Sequence, residues 1–166
     1  MPEPSSTLII RKITTDEIPR LRDFLYEAIF IPEGVEKPGR EILDIPEIAC
    51  YASDFGRPGD LCLVAELSGE LAGAVWVRLF AHGAKGFGYV DEDTPELSMS
   101  VLTGYRRRGI GTSLLSAMID RLEQLGHEQV SLSVDLDNYA LRLYRKFGFE
   151  IVAIKEGSAT MVKPLR

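Results

Sequence analysis

The segment Gly104–Leu115, GYRRRGIGTSLL, sets three arginines against a pair of glycines and runs on into an apolar stretch. Positive charge beside flexible backbone is an arrangement for holding an anion, phosphate above all. A helix that opens at such a turn presents unpaired N–H groups and the positive end of its dipole. Glycine in the turn lets a ligand approach the main chain closely. Two known phosphate devices fail here on spacing. A P-loop needs G-x-x-x-x-G-K-[ST], and although Gly104 and Gly109 supply the glycines, Ile110 and Gly111 stand where the lysine and the hydroxyl residue belong. A dinucleotide-binding fold needs G-x-G-x-x-G after the first strand of its sheet, whereas this turn follows about the fourth. The side chains of Arg106, Arg107 and Arg108 can also be a solvated charge run; the backbone amides of the turn do not depend on them.

Two further residues can do chemistry. Glu96 opens the segment ELSMSVL, in which Leu97, Met99 and Val101 alternate with Glu96, Ser98 and Ser100. A carboxylate so placed can take a proton from a nucleophile. It can equally stand on a solvated strand face or pair with Arg78 or Lys85. Tyr144 lies in DNYALRLYRKFGF, Asp137–Phe149, on one helical face with Ala140, Leu143 and Phe147. Periodicity alone makes it a core tyrosine. Cys50 and Cys62 sit in apolar company and form no C-x-x-C pair, so both read as structural thiols of a reducing compartment. His82 and His127 lack the spacing of metal ligands, and no metal is expected.

The elements that must position these residues follow from periodicity and breakers. Thr7–Ile13 reads as a strand. Thr14, Thr15 and Glu17 open a helix with Ile18, Leu21, Phe24 and Leu25 as its apolar stripe. A loop, Ile31–Glu41, precedes a short second helix between Pro46 and Ala52. Leu61–Glu66 and Ala72–Phe80 form a hairpin around LSGEL. A glycine-rich acidic loop, Ala81–Pro95, leads to the Glu96 strand. After the arginine turn, Leu114, Leu115, Met118, Ile119, Leu122 and Leu125 recur at helical spacing, and Gly126 stops the helix. Gln129–Leu136 is a strand, the Tyr144 helix ends at Gly148, and strands near Phe149–Lys155 and Ser158–Val162 complete the chain. This order describes one mixed α/β domain over residues 7–166, with helices on the faces of one sheet and residues 1–6 as a frayed leader.

Composition narrows the partners. The net charge of −6 on 166 residues excludes a protein whose main task is to coat nucleic acid. The first residues, MPEPSSTLII, have no basic region and no long apolar run, and no stretch is long enough to cross a bilayer. A cytoplasmic protein with neither a nucleic-acid nor a membrane partner is expected.

Taken together, RRRGIG at Arg106–Gly111 matches the [QR]-x-x-G-x-[GA] signature of the GNAT superfamily of N-acetyltransferases, and Asp137–Phe149 resembles that family's second signature through Asn138, Ala140, Leu143, Tyr144, Gly148 and Phe149. The resemblance is specific from Glu96 to Phe149. It implies a mixed, mostly antiparallel twisted sheet and acetyl-CoA as co-substrate. The donor would lie in a V-shaped opening between the parallel strands Glu96–Leu102 and Gln129–Leu136. Backbone atoms of Val101, Leu102 and Thr103 would pair with its pantetheine arm. The amides of Arg106, Arg107, Arg108, Gly109, Ile110, Gly111, Thr112 and Ser113 would wrap its pyrophosphate, and Asn138 would belong to the same site. By the same resemblance Glu96 is the general base, an N–H near Val101 or Leu102 steadies the developing oxyanion, and Tyr144 serves the leaving thiolate. Neither motif places a Cys or Ser beside a His, so direct transfer is expected rather than an acyl-enzyme.

The acceptor is a primary amine, of a small molecule or, alternatively, of a protein or peptide. A non-catalytic acyl-CoA-binding module of the same fold is the rival reading, and a homodimer follows only from family habit. The loop Ala81–Pro95 carries Gly83, Gly86 and Gly88, the aromatics Phe87 and Tyr89, and the carboxylates Asp91, Glu92 and Asp93. An acidic cleft wall concentrates cations, which implies a small acceptor with a second positive charge.

Overall fold

The computed structural model describes residues 7–81 and 86–165. The expected leader, and His82, Gly83 and Lys85 of the long loop, lie outside the described residues. The strands form where aliphatic residues alternate with polar ones or run unbroken between turns. They are β1 (Leu8–Lys12), β2 (Leu61–Leu67), β3 (Glu70–Arg78), β4 (Glu96–Val101), β5 (Gln129–Asp135), β6 (Glu150–Lys155) and β7 (Ser158–Pro164). The two tight hairpins turn on Ser68-Gly69 and Glu156-Gly157, with φ of 52° and 82°, and 52° and 80°. Paired left-handed residues match the right-handed twist of the strands they join. The seven strands make one sheet in the order β1-β2-β3-β4-β5-β7-β6. Every neighbouring pair is antiparallel except β4 and β5.

Helices cover both faces, as expected, and each face has its own core. On one side α3 (Ile110–Gln124) and α4 (Ala140–Lys146) bury Leu114, Leu115, Met118, Leu122 and Tyr144 against β3, β4 and β5. On the other, α1 (Leu21–Ala28) and α2 (Pro46–Ala49) enclose Leu21, Phe24, Leu25, Leu43, Tyr51 and Trp76. The expected first helix is divided. Pro19 removes a backbone donor, and Thr15–Arg20 winds as a 3-10 turn before α1 begins. Thr14 N–H still donates to Glu17 Oε1 at 2.9 Å, the reciprocal bond of a capping box. The second helix is shorter than expected, and Arg40–Asp44 forms a further 3-10 turn inside the expected loop. Leu125, expected on the α3 stripe, falls one residue past the helix and is 54% exposed.

Two buried polar side chains of β3 tie the segment after α2 to the sheet. Trp76 Nε1 donates to the carbonyl of Tyr51 at 2.9 Å. Arg78 Nη1 donates to the carbonyl of Cys50 at 2.9 Å, while its Nε and Nη2 reach Asp60 at 3.0 and 3.1 Å. Arg78 therefore pairs with Asp60 and not with Glu96, which removes one of the alternatives for that glutamate. Cys62 is fully buried, which pushes its thiol up to about 12, while Cys50 is half-buried. Both are free thiols. Among the described residues, no helix is long and apolar enough to cross a membrane, and no cluster of His, Cys, Asp and Glu is placed to hold a metal ion.

Candidate active site

The parallel strands β4 and β5 meet at one register pair, Glu96 opposite Ser131, with Ser131 N–H donating to the Pro95 carbonyl at 3.0 Å. Beyond that pair they part. The antiparallel ladder with β3 fixes where β4 amides point. Leu102 N–H donates to the Ala72 carbonyl at 2.8 Å, so the even-numbered residues face β3. Alternation then sends the N–H groups of Met99 and Val101 toward β5, past the end of the β4–β5 ladder. An unpaired strand edge of this kind is costly unless something satisfies it.

A groove of about 1440 Å³ runs along the opening. Of the residues expected to hold the donor, Val101, Thr103, Arg106, Arg107, Gly109, Ile110, Gly111, Thr112, Asn138 and Tyr144 line it, whereas Leu102, Arg108 and Ser113 do not. The physical reasons are local. The Leu102 amide is committed to β3, so of the two expected oxyanion donors only Val101 is available. The Ser113 amide closes the first helical bond, to the Gly109 carbonyl at 3.1 Å. The Arg108 guanidinium lies over the Tyr105 ring.

The phosphate turn owes its shape to two left-handed residues, Arg107 at φ 65° and Gly109 at φ 76°. It delivers the chain into α3 with no side chain capping the helix. The amides of Ile110, Gly111 and Thr112 therefore have no intrahelical acceptor. The two glycines differ in purpose. A Cβ on Gly109 would meet nothing within 4 Å, so this glycine is there for its backbone angle. A Cβ on Gly111 would meet Met99 Cε at 3.7 Å and Leu143 Cδ2 at 3.8 Å, ordinary contact that leaves room for a methyl, so what this glycine keeps clear is the space a longer side chain would take from the groove. Arg106 is not a free cation. Its Nε donates to the Val101 carbonyl at 3.0 Å and its Nη2 meets Glu27 Oε2 at 3.3 Å. The Asn138 side-chain carbonyl accepts the Ala140 amide at 2.9 Å, which shapes the entry to α4.

Glu96 lies at the root of the opening and is 2% exposed, so it does not stand on a solvated face. Its Oε2 accepts Tyr51 Oη at 2.5 Å and the Gly88 amide at 3.0 Å. Its Oε1 is buried and has no partner among the described residues. Burial lifts this carboxyl from its ordinary 4.5 to about 7, against the lowering effect of the two donors. Tyr144 is buried on α4, edge-on to Phe149 at 5.7 Å. Burial pushes its phenol up to about 12.

The groove is also walled by the apolar and aromatic side chains of Tyr26, Phe30, Ile31, Ile48 and Phe87. The Tyr26 hydroxyl donates to the Pro38 carbonyl, which holds the connection after α1 in place. Glu27 also lines the groove, engaged by Lys37 and Arg106. Asp91, Glu92 and Asp93 do not line the groove, so the expected acidic wall is not formed there. Asp91 instead accepts the Asp93 amide at 2.9 Å and the Thr94 hydroxyl at 2.8 Å within its own turn. Within the same loop it is the segment 86–88 that turns inward, with the Phe87 and Gly88 amides donating to Tyr51 and Glu96. Sequence reasoning missed Met99, Tyr51 and the apolar wall. For Met99 the parity of the β4 ladder was a usable signal; for Tyr51 there was none, because it meets Glu96 only through the fold.

Comparison with known proteins places these features in company. The family model described as "Acetyltransferase (GNAT) family" matches residues 22–149. The mycothiol acetyltransferase of Clavibacter sepedonicus is 35% identical over 98 residues, covering 58% of this chain and 29% of the relative. The N-alpha-acetyltransferase 50 of Danio rerio is 30% identical over 116 residues, covering 69% of this chain and 66% of the relative. The chain thus spans less than two thirds of the length of either. Among solved structures, the PaiA N-acetyltransferase of Thermoplasma acidophilum in complex with coenzyme A superposes with a TM-score of 0.64 at 22% identity, covering 95% of this chain and 99% of that one.

Proposed function

Because the chain belongs to the GNAT family of acetyltransferases, we propose that it moves an acetyl group from acetyl-CoA directly onto a primary amine. The observation that carries this reading is one groove that holds both the uncapped amides of α3 and a buried carboxylate with one unpartnered oxygen. When bound, acetyl-CoA would supply a thioester carbon open to attack and a thiolate able to leave. The residues fit it. The amides of Ile110, Gly111 and Thr112 suit a diphosphate in charge and direction, and Gly111 leaves the room. The N–H groups of Met99 and Val101 suit an extended arm lying along the strand edge, and Val101 is the donor for developing negative charge on oxygen.

Glu96 takes the proton of the acceptor amine at Oε1, directly or through water. A base poised near the working pH is well matched to that task. Tyr144 acts as a hydrogen-bond donor to the leaving sulfur and keeps its own proton. With the phenol at about 12 and a thiol near ~8.5, full transfer would be uphill by about 5 kcal/mol, at about 1.4 per unit. The apolar wall favours an acceptor with an apolar group beside its amine over one with a second cation. A reaction that consumes acetyl-CoA supports a cytoplasmic location.

Saturating acetyl-CoA is expected to raise the melting temperature, by an amount equivalent to about 2.7 kcal/mol at a hundred times Kd, and ATP is not. Release of free CoA should then depend on the added amine, across a panel of amino-acid amides, short peptides and polyamines. Stabilisation without amine-dependent release throughout the panel would identify an acyl-CoA-binding module. No stabilisation at all would remove the reading.

A further inference from the structure

We propose that Tyr51 is a positioning residue for Glu96, holding one carboxylate oxygen so that the other is left to meet the acceptor amine. This rests on the reading of Glu96 as the base. The hydroxyl of Tyr51 stands 2.7 Å from the Phe87 amide and 2.5 Å from Glu96 Oε2. An amide N–H can only donate, so the hydroxyl accepts from Phe87 and directs its single proton at Glu96. The polarity of the contact is thereby fixed. The Gly88 amide adds a second donor to the same oxygen. Oε2 is saturated and Oε1 is left without a donor.

The tyrosine itself is held from all sides. Its carbonyl accepts Trp76 Nε1, and the preceding carbonyl accepts Arg78, which is in turn fixed by Asp60. Its ring packs edge-on to Phe80 at 5.6 Å and stacks on Phe87 at 6.4 Å. On the side of Gly86 the pair is tightly enclosed, since a Cβ there would fall 2.5 Å from both Glu96 Oε1 and the Tyr51 hydroxyl, while both side chains also line the groove. A side chain this constrained gives the carboxylate one orientation.

Among the described residues, the titratable and charged groups near Glu96 are few. Tyr51 and Cys50 approach from the end of α2, and Cys50 feels the glutamate's charge. Arg78 is its register partner on β3, with its guanidinium turned to Asp60. From β5 the register partner is Ser131, which does not titrate.

The test is Tyr51→Phe, which keeps the ring and deletes the donor. A hydrogen bond to a charged group is worth about 1.5–3 kcal/mol, so the acidic limb of the kcat/KM profile should move upward by about one to two pH units. The affinity for acetyl-CoA should not change. In a Glu96→Gln background the same change should have no further effect on turnover. Infrared titration of the buried carboxyl band, in wild type against Tyr51→Phe, reads the shift without turnover. An unmoved limb and an unmoved carboxyl band would overturn the proposal for Tyr51. If Glu96→Gln alone leaves rate and profile intact, the base assignment falls instead.

Discussion

Gly111→Val is expected to abolish useful acetyl-CoA binding in a protein that still folds. The reason lies in what a side chain would meet there. The nearest atoms to a Cβ at this position are the far ends of Met99 and Leu143, which can give way. The methyl groups of valine would then occupy the groove in front of the α3 amides. Losing two charge-assisted hydrogen bonds, at about 1.5–3 kcal/mol each, weakens binding by about a hundredfold or more. Gly109→Val should act differently, through its left-handed backbone and not through lost space. Calorimetric titration with acetyl-CoA, alongside a circular dichroism spectrum, separates lost binding from lost fold. Wild-type affinity in Gly111→Val would mean that the donor's phosphates lie elsewhere.

Glu96→Gln should lower kcat by about 10²- to 10⁴-fold, the usual range for removal of a general base. The loss should be greatest just above neutrality, where the carboxyl is ionised and the amine still protonated, and shrink as pH rises further and more of the amine is already deprotonated. Wild-type activity should climb with pH through about 7, where the carboxyl ionises. The same substitution should make the protein more stable above neutrality. The folded-state value of Glu96 is raised above its ordinary 4.5, so the protonated form is favoured in the native state. Its contribution is fully present below about 4.5 and is lost as pH rises through about 7. The difference amounts to about 3 kcal/mol at about 1.4 per unit. Glutamine carries no charge, and its carbonyl can accept from Tyr51 and Gly88 as Oε2 does. Denaturant melts at pH 5 and pH 8, run beside pH–rate profiles, check both halves; equal stability at the two values in wild type would contradict the buried charge.

Much of this arrangement was legible in the sequence because it is local. The alternation of Leu97, Met99 and Val101 gave the strand, and the spacing from Leu114 to Leu122 gave α3. The glycines of the arginine turn and the Asn138–Tyr144 segment carried the family resemblance. Boundaries moved where one residue overruled a pattern, as Pro19 did in splitting the first helix. Elsewhere the outcome turned on which partner a group takes in the fold. Leu102 looked like a ligand-facing residue until its amide proved to belong to β3. For Glu96 the alternatives to a base, a solvated face or an ion pair with Arg78, are removed by its burial and by the Arg78–Asp60 pair. Asp91 looked like a cleft wall, but its carboxylate closes its own turn. The β3 partner of Leu102 and the Asp60 partner of Arg78 cannot be read from spacing along the chain, whereas the turn that Asp91 closes, with Asp93 and Thr94, is local.

The two cores on opposite faces of the sheet have a consequence for how the molecule comes apart. The face that carries the phosphate turn rests on α3, fifteen residues long. The face that carries Tyr51 and the apolar wall is built from helices of eight and four residues and two 3-10 turns. Helices this short have little stability of their own and depend on packing. Opening of a structure usually proceeds through its least stable contiguous unit. Native-state hydrogen exchange should therefore find the amides of residues 47–49 and of Arg40–Asp44 exchanging before those of α3. Mild denaturant would then yield a form that still captures its donor molecule but has lost the grip on its base, so turnover fails at a lower concentration than donor binding.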